Sequence, residues 1–258
     1  MLDTSGLETG RRVGMDSGDG DCAGHRKREM RCPLSGKGTT RLMPKRALIE
    51  RRPWLFGSIL LAMAFVSLQE SRLPGLYLLA LKAAPLLFLA IYALLRHRGN
   101  DTRILAGMLV CEGIGSALID YFPYEAITLI IVGFGFGIGL FIMHRRPILA
   151  ASQKTLVVAL LLLTPLVAHL LAEPDWKTAA LFYGLAAGGM AASAWGSSFP
   201  RYRVGAGAVV ILAGNLIAIE ASTDIDTHRL FWLGSWPLFY LGNLMLSTGV
   251  TAELRARG

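Results

Sequence analysis

The 258-residue chain is 53% hydrophobic and only 17% charged, with a mean hydropathy of +0.48, which excludes a water-soluble domain as its main body. Its net charge is +8, but twelve of the 26 Lys and Arg lie within the first 52 residues. The basicity therefore belongs to a tail and to loops, as membrane orientation requires, and not to a nucleic-acid-binding face.

Residues 1–45 are rich in Gly, Ser, Asp, Arg and Lys and hold no apolar run long enough for a signal-peptide core. They read as a disordered basic tail, with Met43 as an alternative start, ahead of a membrane domain at 46–258. Cys22, Cys32 and Cys111 form no CxxC pair and have no His at ligand spacing, so neither a disulfide framework nor a metal or other cofactor is expected.

A bilayer core of roughly 30 Å needs about 20 mainly apolar helical residues. Segments of that kind fall at 54–69, 74–95, 104–122, 123–143, 156–172, 176–196, 204–222 and 230–251. Pro123 separates the third from the fourth, and Glu173-Pro174-Asp175 the fifth from the sixth. The expected fold is all-α: a polytopic integral membrane protein of eight transmembrane helices.

Loop charges give an independent check, because cytoplasmic loops carry excess Lys and Arg. Arg96, Arg98, Arg103, Arg145, Arg146, Lys154, Arg201, Arg203, Arg255 and Arg257 follow the even-numbered spans. The other connections hold Arg72, Lys177 and Arg229 beside Glu70, Glu125, Glu173, Asp175, Asp224 and Asp226. Ten against three in strict alternation predicts both ends on the cytoplasmic side. Helical spans point to an inner (plasma) membrane.

Ionisable groups inside a span are costly and therefore candidates for function. Lys82 in the second span and Glu112 in the third each lie roughly 12 Å from their own face at about 1.5 Å per residue. That depth predicts a Lys82–Glu112 ion pair, read either as a packing device or as part of a site. Asp120, Glu220 and His169 approach the outer ends, where side chains reach interfacial water. Asn215 and Asn243 sit deeper, where an amide bonds another helix or lines a cavity.

In the fourth span Gly133-Phe-Gly-Phe-Gly-Ile-Gly139 holds two overlapping GxxxG spacings, the mark of a close helix contact and not of a phosphate loop. Trp54, Trp176, Trp232 and Trp236 fall near span ends as an aromatic belt would. Nucleophile-elbow, HExxH and Walker sequences do not occur.

Three stretches, Leu-Lys-Ala-Ala-Pro-Leu-Leu at 81–87, Leu-Ala-Gly-Met-Leu at 105–109 and Trp-Pro-Leu-Phe-Tyr-Leu-Gly-Asn-Leu at 236–244, carry a family likeness. Through them residues 74–251 resemble the YhhN, or lysoplasmalogenase, family of eight-span membrane proteins. The resemblance implies hydrolysis of the vinyl-ether bond of a lysophospholipid within the membrane. That chemistry needs an acid to protonate the enol-ether carbon and a base to guide water.

The family's aspartates of the third and seventh spans fall here on Gly115 or Ser116 and on Gly214 or Asn215, its fourth-span His near Ile138, and its eighth-span Gln on Asn243. Glu112, one turn before Gly115, is then the candidate acid, with Asp120 or Glu220 as the second. Lys82, Asn215, Tyr240 and Asn243 are the candidate substrate-binding residues. A non-catalytic lipid-binding or membrane-organising relative and a small transporter are the competing readings. Membrane lipid is the expected partner in the first two, and nucleic acid in none.

Overall fold

The computed structural model describes residues 53–69, 74–221 and 228–257, with side chains of the last helix described from Gly234 onward. The expected tail, Cys22 and Cys32 lie outside the described residues, as do Glu70, Arg72, Asp224 and Asp226.

Eight α-helices occur among the described residues: α1 Pro53–Leu68, α2 Gly75–Arg96, α3 Asn100–Leu118, α4 Pro123–Met143, α5 Ala151–Leu171, α6 Lys177–Gly196, α7 Ala206–Ala221 and α8 His228–Arg257. A 3-10 turn at Pro174–Trp176 precedes α6, and a π-helical turn at Arg201–Gly205 leads into α7. Pro123 sits in the first turn of α4, where its missing N–H costs no hydrogen bond.

Four of these segments, Gly75–Arg96, Pro123–Met143, Ala151–Leu171 and Arg201–Glu220, are long and apolar enough to cross a membrane. The protein is thus all-helical and suited to a membrane, with several such segments. The remaining helices are shorter or less apolar for a physical reason. In α3 the polar Thr102, Glu112 and Ser116 are covered by neighbouring helices, and α6 buries glycines and alanines along its length.

Successive helices pack as α1 on α2, α2 on α3, α3 on α4, α5 on α6 and α7 on α8. Contacts of α4 with α6, α6 with α7 and α2 with α8 close these pairs around a shared interior. Helix α5 packs chiefly on α6 and is the least covered of the four long apolar segments.

Small residues set two of these contacts. A Cβ on Gly188 would lie 2.6 Å from the Leu160 carbonyl oxygen, so α6 and α5 meet almost backbone to backbone. Gly207 and Gly242 do the same for α7 and α8: a Cβ on either would stand within 2.8 Å of the other's carbonyl oxygen. The glycine run of α4 divides by face. Gly133 and Gly137 meet Cys111, Glu112, Met108 and Met190, whereas Gly135 and Gly139 face open space. Only the first GxxxG spacing is therefore a packing surface.

Candidate functional site

A cavity of about 460 Å³ lies between the C-terminal ends of α3, α5 and α7 and the N-terminal parts of α2, α4, α6 and α8. Its wall is mainly apolar: Ile119, Pro123, Ile127 and Ile130 from one side, Ala172, Ala179 and Ala180 from another, and Ala218, Ile219 and Phe239 from a third. Lys82, Ser116, Asp120, Glu173, Tyr183, Asn215, Ser235 and Trp236 supply the polar groups. An apolar chamber with a few convergent polar groups is the usual form of a small-ligand site.

The charged centre of the cavity is a pair. Lys82 Nζ donates to Asp120 Oδ2 at 2.8 Å, with side chains 6% and 46% exposed respectively. This corrects the expected Lys82–Glu112 bridge. Residue counting along a helix gives depth but not direction around the axis, and α3 is turned so that Glu112 points elsewhere. Gly113 brings α3 against Ala83 and Leu86 of α2, and Gly133 of α4 leaves just enough room for Glu112 Cγ.

Glu112 is fully buried and accepts a 2.7 Å hydrogen bond from Asn243 Nδ2, which also donates to the Phe239 carbonyl at 3.2 Å. Neither residue is on the cavity wall, so the candidate acid Glu112 and the candidate substrate ligand Asn243 form a separate helix-to-helix contact. Tyr240 is also off the wall. Its hydroxyl pairs with Ser58 Oγ at 2.8 Å, while Ser58 donates to the Pro85 carbonyl at 2.7 Å, tying α8 to α1 and α2. Glu220 lies near the C-terminal end of α7 and is absent from the cavity lining, and His169 Nδ1 sits 3.2 Å from the Lys177 carbonyl oxygen.

Of the expected site residues the cavity thus gathers Lys82, Asp120 and Asn215. It also gathers Ser116 and Gly214, two of the positions onto which the resemblance carries the family's acids. Both places lack a carboxylate here. The acids on the wall are Asp120, after the end of α3, and Glu173 from the α5–α6 connection.

Trp236 and Trp176 on the wall were not legible as ligand-binding from the sequence. Trp236, expected in an aromatic belt, is 4% exposed and stacks on Tyr240 with ring centroids 5.7 Å apart. Its Nε1 is buried without a hydrogen-bond partner, as is Nδ2 of Asn215. A buried N–H without an acceptor costs on the order of 1–3 kcal/mol, and both of these belong to residues of the cavity wall. The spacing of Ser235, Trp236 and Phe239 on one face of α8 was the available signal. Trp176, stacked on Tyr124 with centroids 4.6 Å apart, completes the aromatic part of the rim.

Among the described residues no cluster of three His, Cys, Asp or Glu is placed to hold a metal ion. No family model, no curated protein and no solved structure matches this chain.

Proposed function

We propose that the protein is an eight-span membrane protein with both ends cytoplasmic, and that its cavity receives a single-chain amphiphile of the lysophospholipid class. The observation that carries this reading is the composition of one chamber. Apolar walls end at a Lys82–Asp120 pair and two buried N–H donors without acceptors, Asn215 Nδ2 and Trp236 Nε1. An acyl or alkenyl chain suits the walls, and phosphate or glycerol oxygens suit the donors. The alternation of basic loops supports this topology, under which the cavity belongs to the outward-facing half of the bundle. The likeness to the YhhN family supports the lipid class.

The test is binding of a fluorescent lysophospholipid by the detergent-purified protein. Asn215→Leu and Trp236→Phe should each weaken binding several-fold, whereas Glu112→Gln, away from the wall, should leave it unchanged. Equal binding by all four proteins would overturn the assignment of the cavity.

A second reading, vinyl-ether hydrolysis, is favoured by the presence of both Asp120 and Glu173 on the wall. Glu173 would protonate the enol-ether carbon, and Asp120, braced by Lys82, would direct water onto the oxocarbenium ion. Aldehyde release from a lysoplasmalogen that survives in Glu112→Gln but vanishes in Asp120→Asn is its signature. No release from folded protein leaves the binding role alone.

A further inference from the structure

The opposite end of the bundle holds a second assembly, independent of the cavity. The segment between α4 and α5 and the segment between α6 and α7 are pinned together by backbone hydrogen bonds, Ser198 N to the His144 carbonyl at 2.7 Å and Arg146 N to the Gly196 carbonyl at 3.2 Å. Phe199 is fully buried beneath them, edge-on to Phe141.

Three guanidinium groups from three separate elements converge on this turn. Arg146 Nη2 donates to the Phe199 carbonyl at 3.3 Å, and Arg257 Nη2 donates to the Ser198 carbonyl and Oγ at 3.1 Å each. Arg257 also lies over the Phe199 ring, 5.4 Å from its centroid. Arg201 Nη2 donates to Gln153 Oε1 at 2.8 Å, while its Nε is buried and has no hydrogen-bond partner.

Repulsion within the group is real. Burial first, then the charges of Arg201 and Arg257, hold Arg146 below the usual arginine range. Among the described residues the acid paired with this group is Glu253, 3.0 Å from Arg257 Nε. A bias for basic loops alone would be met by separately solvated side chains, since like charges gain nothing by meeting. A convergent set with a buried spare donor fits an oxyanion, and the fork geometry of guanidinium fits phosphate.

The surroundings favour a lipid as its source. Tyr202 and Ile148, 89% and 86% exposed, flank Arg201 and Arg146 and offer apolar surface where acyl chains begin.

We propose that Arg146, Arg201 and Arg257 form an interfacial seat for the phosphodiester head group of an anionic phospholipid. Each guanidinium is already anchored by one edge to the protein, so the remaining N–H groups are held in place before the lipid arrives.

Native mass spectrometry of the protein released from a neutral detergent, with added phosphatidylglycerol, phosphatidylcholine or inorganic phosphate, tests this. Phosphatidylglycerol should be retained in preference to phosphatidylcholine, and Arg201→Gln combined with Arg146→Gln should cut that retention by about fivefold or more. Arg146→Lys, which keeps the charge and loses the fork, should also weaken retention, and Arg255→Gln should not. Equal retention of the two lipids, or parent-like retention in the folded double variant or in Arg146→Lys, would overturn the proposal. Inorganic phosphate competing as well as the lipid would overturn the lipid assignment.

Discussion

Substituting Gly242 by Ala should loosen the α7–α8 contact and, with it, the cavity. A Cβ at 242 would lie 2.6 Å from the Gly207 carbonyl oxygen, from Ile211 N and from Ile211 Cγ1, 0.8 Å short of the 3.4 Å at which ordinary contact begins. Two of those three atoms are backbone, so no rotamer change relieves the clash and the helices must part. Overpacking of this kind costs about 1–3 kcal/mol, while the better helix propensity of Ala returns about 0.5–1 kcal/mol. The net loss is on the order of 1–2 kcal/mol, which for a chain of this size lowers Tm by roughly 2–8 °C. At Gly214, next to Asn215, an added Cβ would lie 2.8 Å from Phe239 N and from the Ser235 carbonyl oxygen across the same seam, so parting the helices also separates Asn215 from Trp236. Thermal unfolding followed by tryptophan fluorescence in detergent, run with the lysophospholipid-binding assay, reads both effects. Gly135→Ala and Gly139→Ala are the controls, because a Cβ at either meets open space and should stabilise by up to about 1 kcal/mol. A Gly242→Ala protein as stable as its parent, with unchanged binding, would refute the reasoning.

The Lys82–Asp120 pair should respond unequally to removal of its two members. Asp120→Ala removes one 2.8 Å charge-assisted hydrogen bond from the 6%-exposed Lys82 and should cost about 1–3 kcal/mol, whereas Lys82→Met leaves the 46%-exposed Asp120 to hydrate and should cost under about 1 kcal/mol; a double-mutant cycle in chemical unfolding measures the difference. Ser58→Ala removes the hydroxyl that joins Tyr240 to the Pro85 carbonyl and should destabilise by about 1–2 kcal/mol in the same assay, with ligand affinity unaffected. Asn243→Leu takes away the 2.7 Å donor to the fully buried Glu112 and should destabilise far more than Glu112→Gln, whose amide oxygen still accepts that bond.

Much of this architecture was legible in one dimension. The apolar segments coincide with the helices to within six residues at each end, because a long apolar run has few other conformations open to it in lipid and because Pro123 and Pro174 fall at helix boundaries, whereas Pro85, Pro165 and Pro237 are carried inside helices. The candidate site was legible only in part. Lys82 and Asn215 stood out as polar groups within apolar segments, and Asp120 as an acid at a segment end, and all three reach the cavity.

What tertiary structure alone decided is which polar groups meet. Depth in the bilayer follows from counting residues at about 1.5 Å each, but the rotation of each helix about its axis follows from which small side chains let neighbours approach. Glycines 113 and 133 turn Glu112 toward Asn243 and leave Lys82 to Asp120. The buried glycines of α7 and α8 bring Asn215 and Trp236 to one wall, although the two residues stand on different helices. Composition and periodicity carry the solvent each helix prefers; the partner of each polar group depends on contacts between residues far apart in the chain, and no local pattern encodes them.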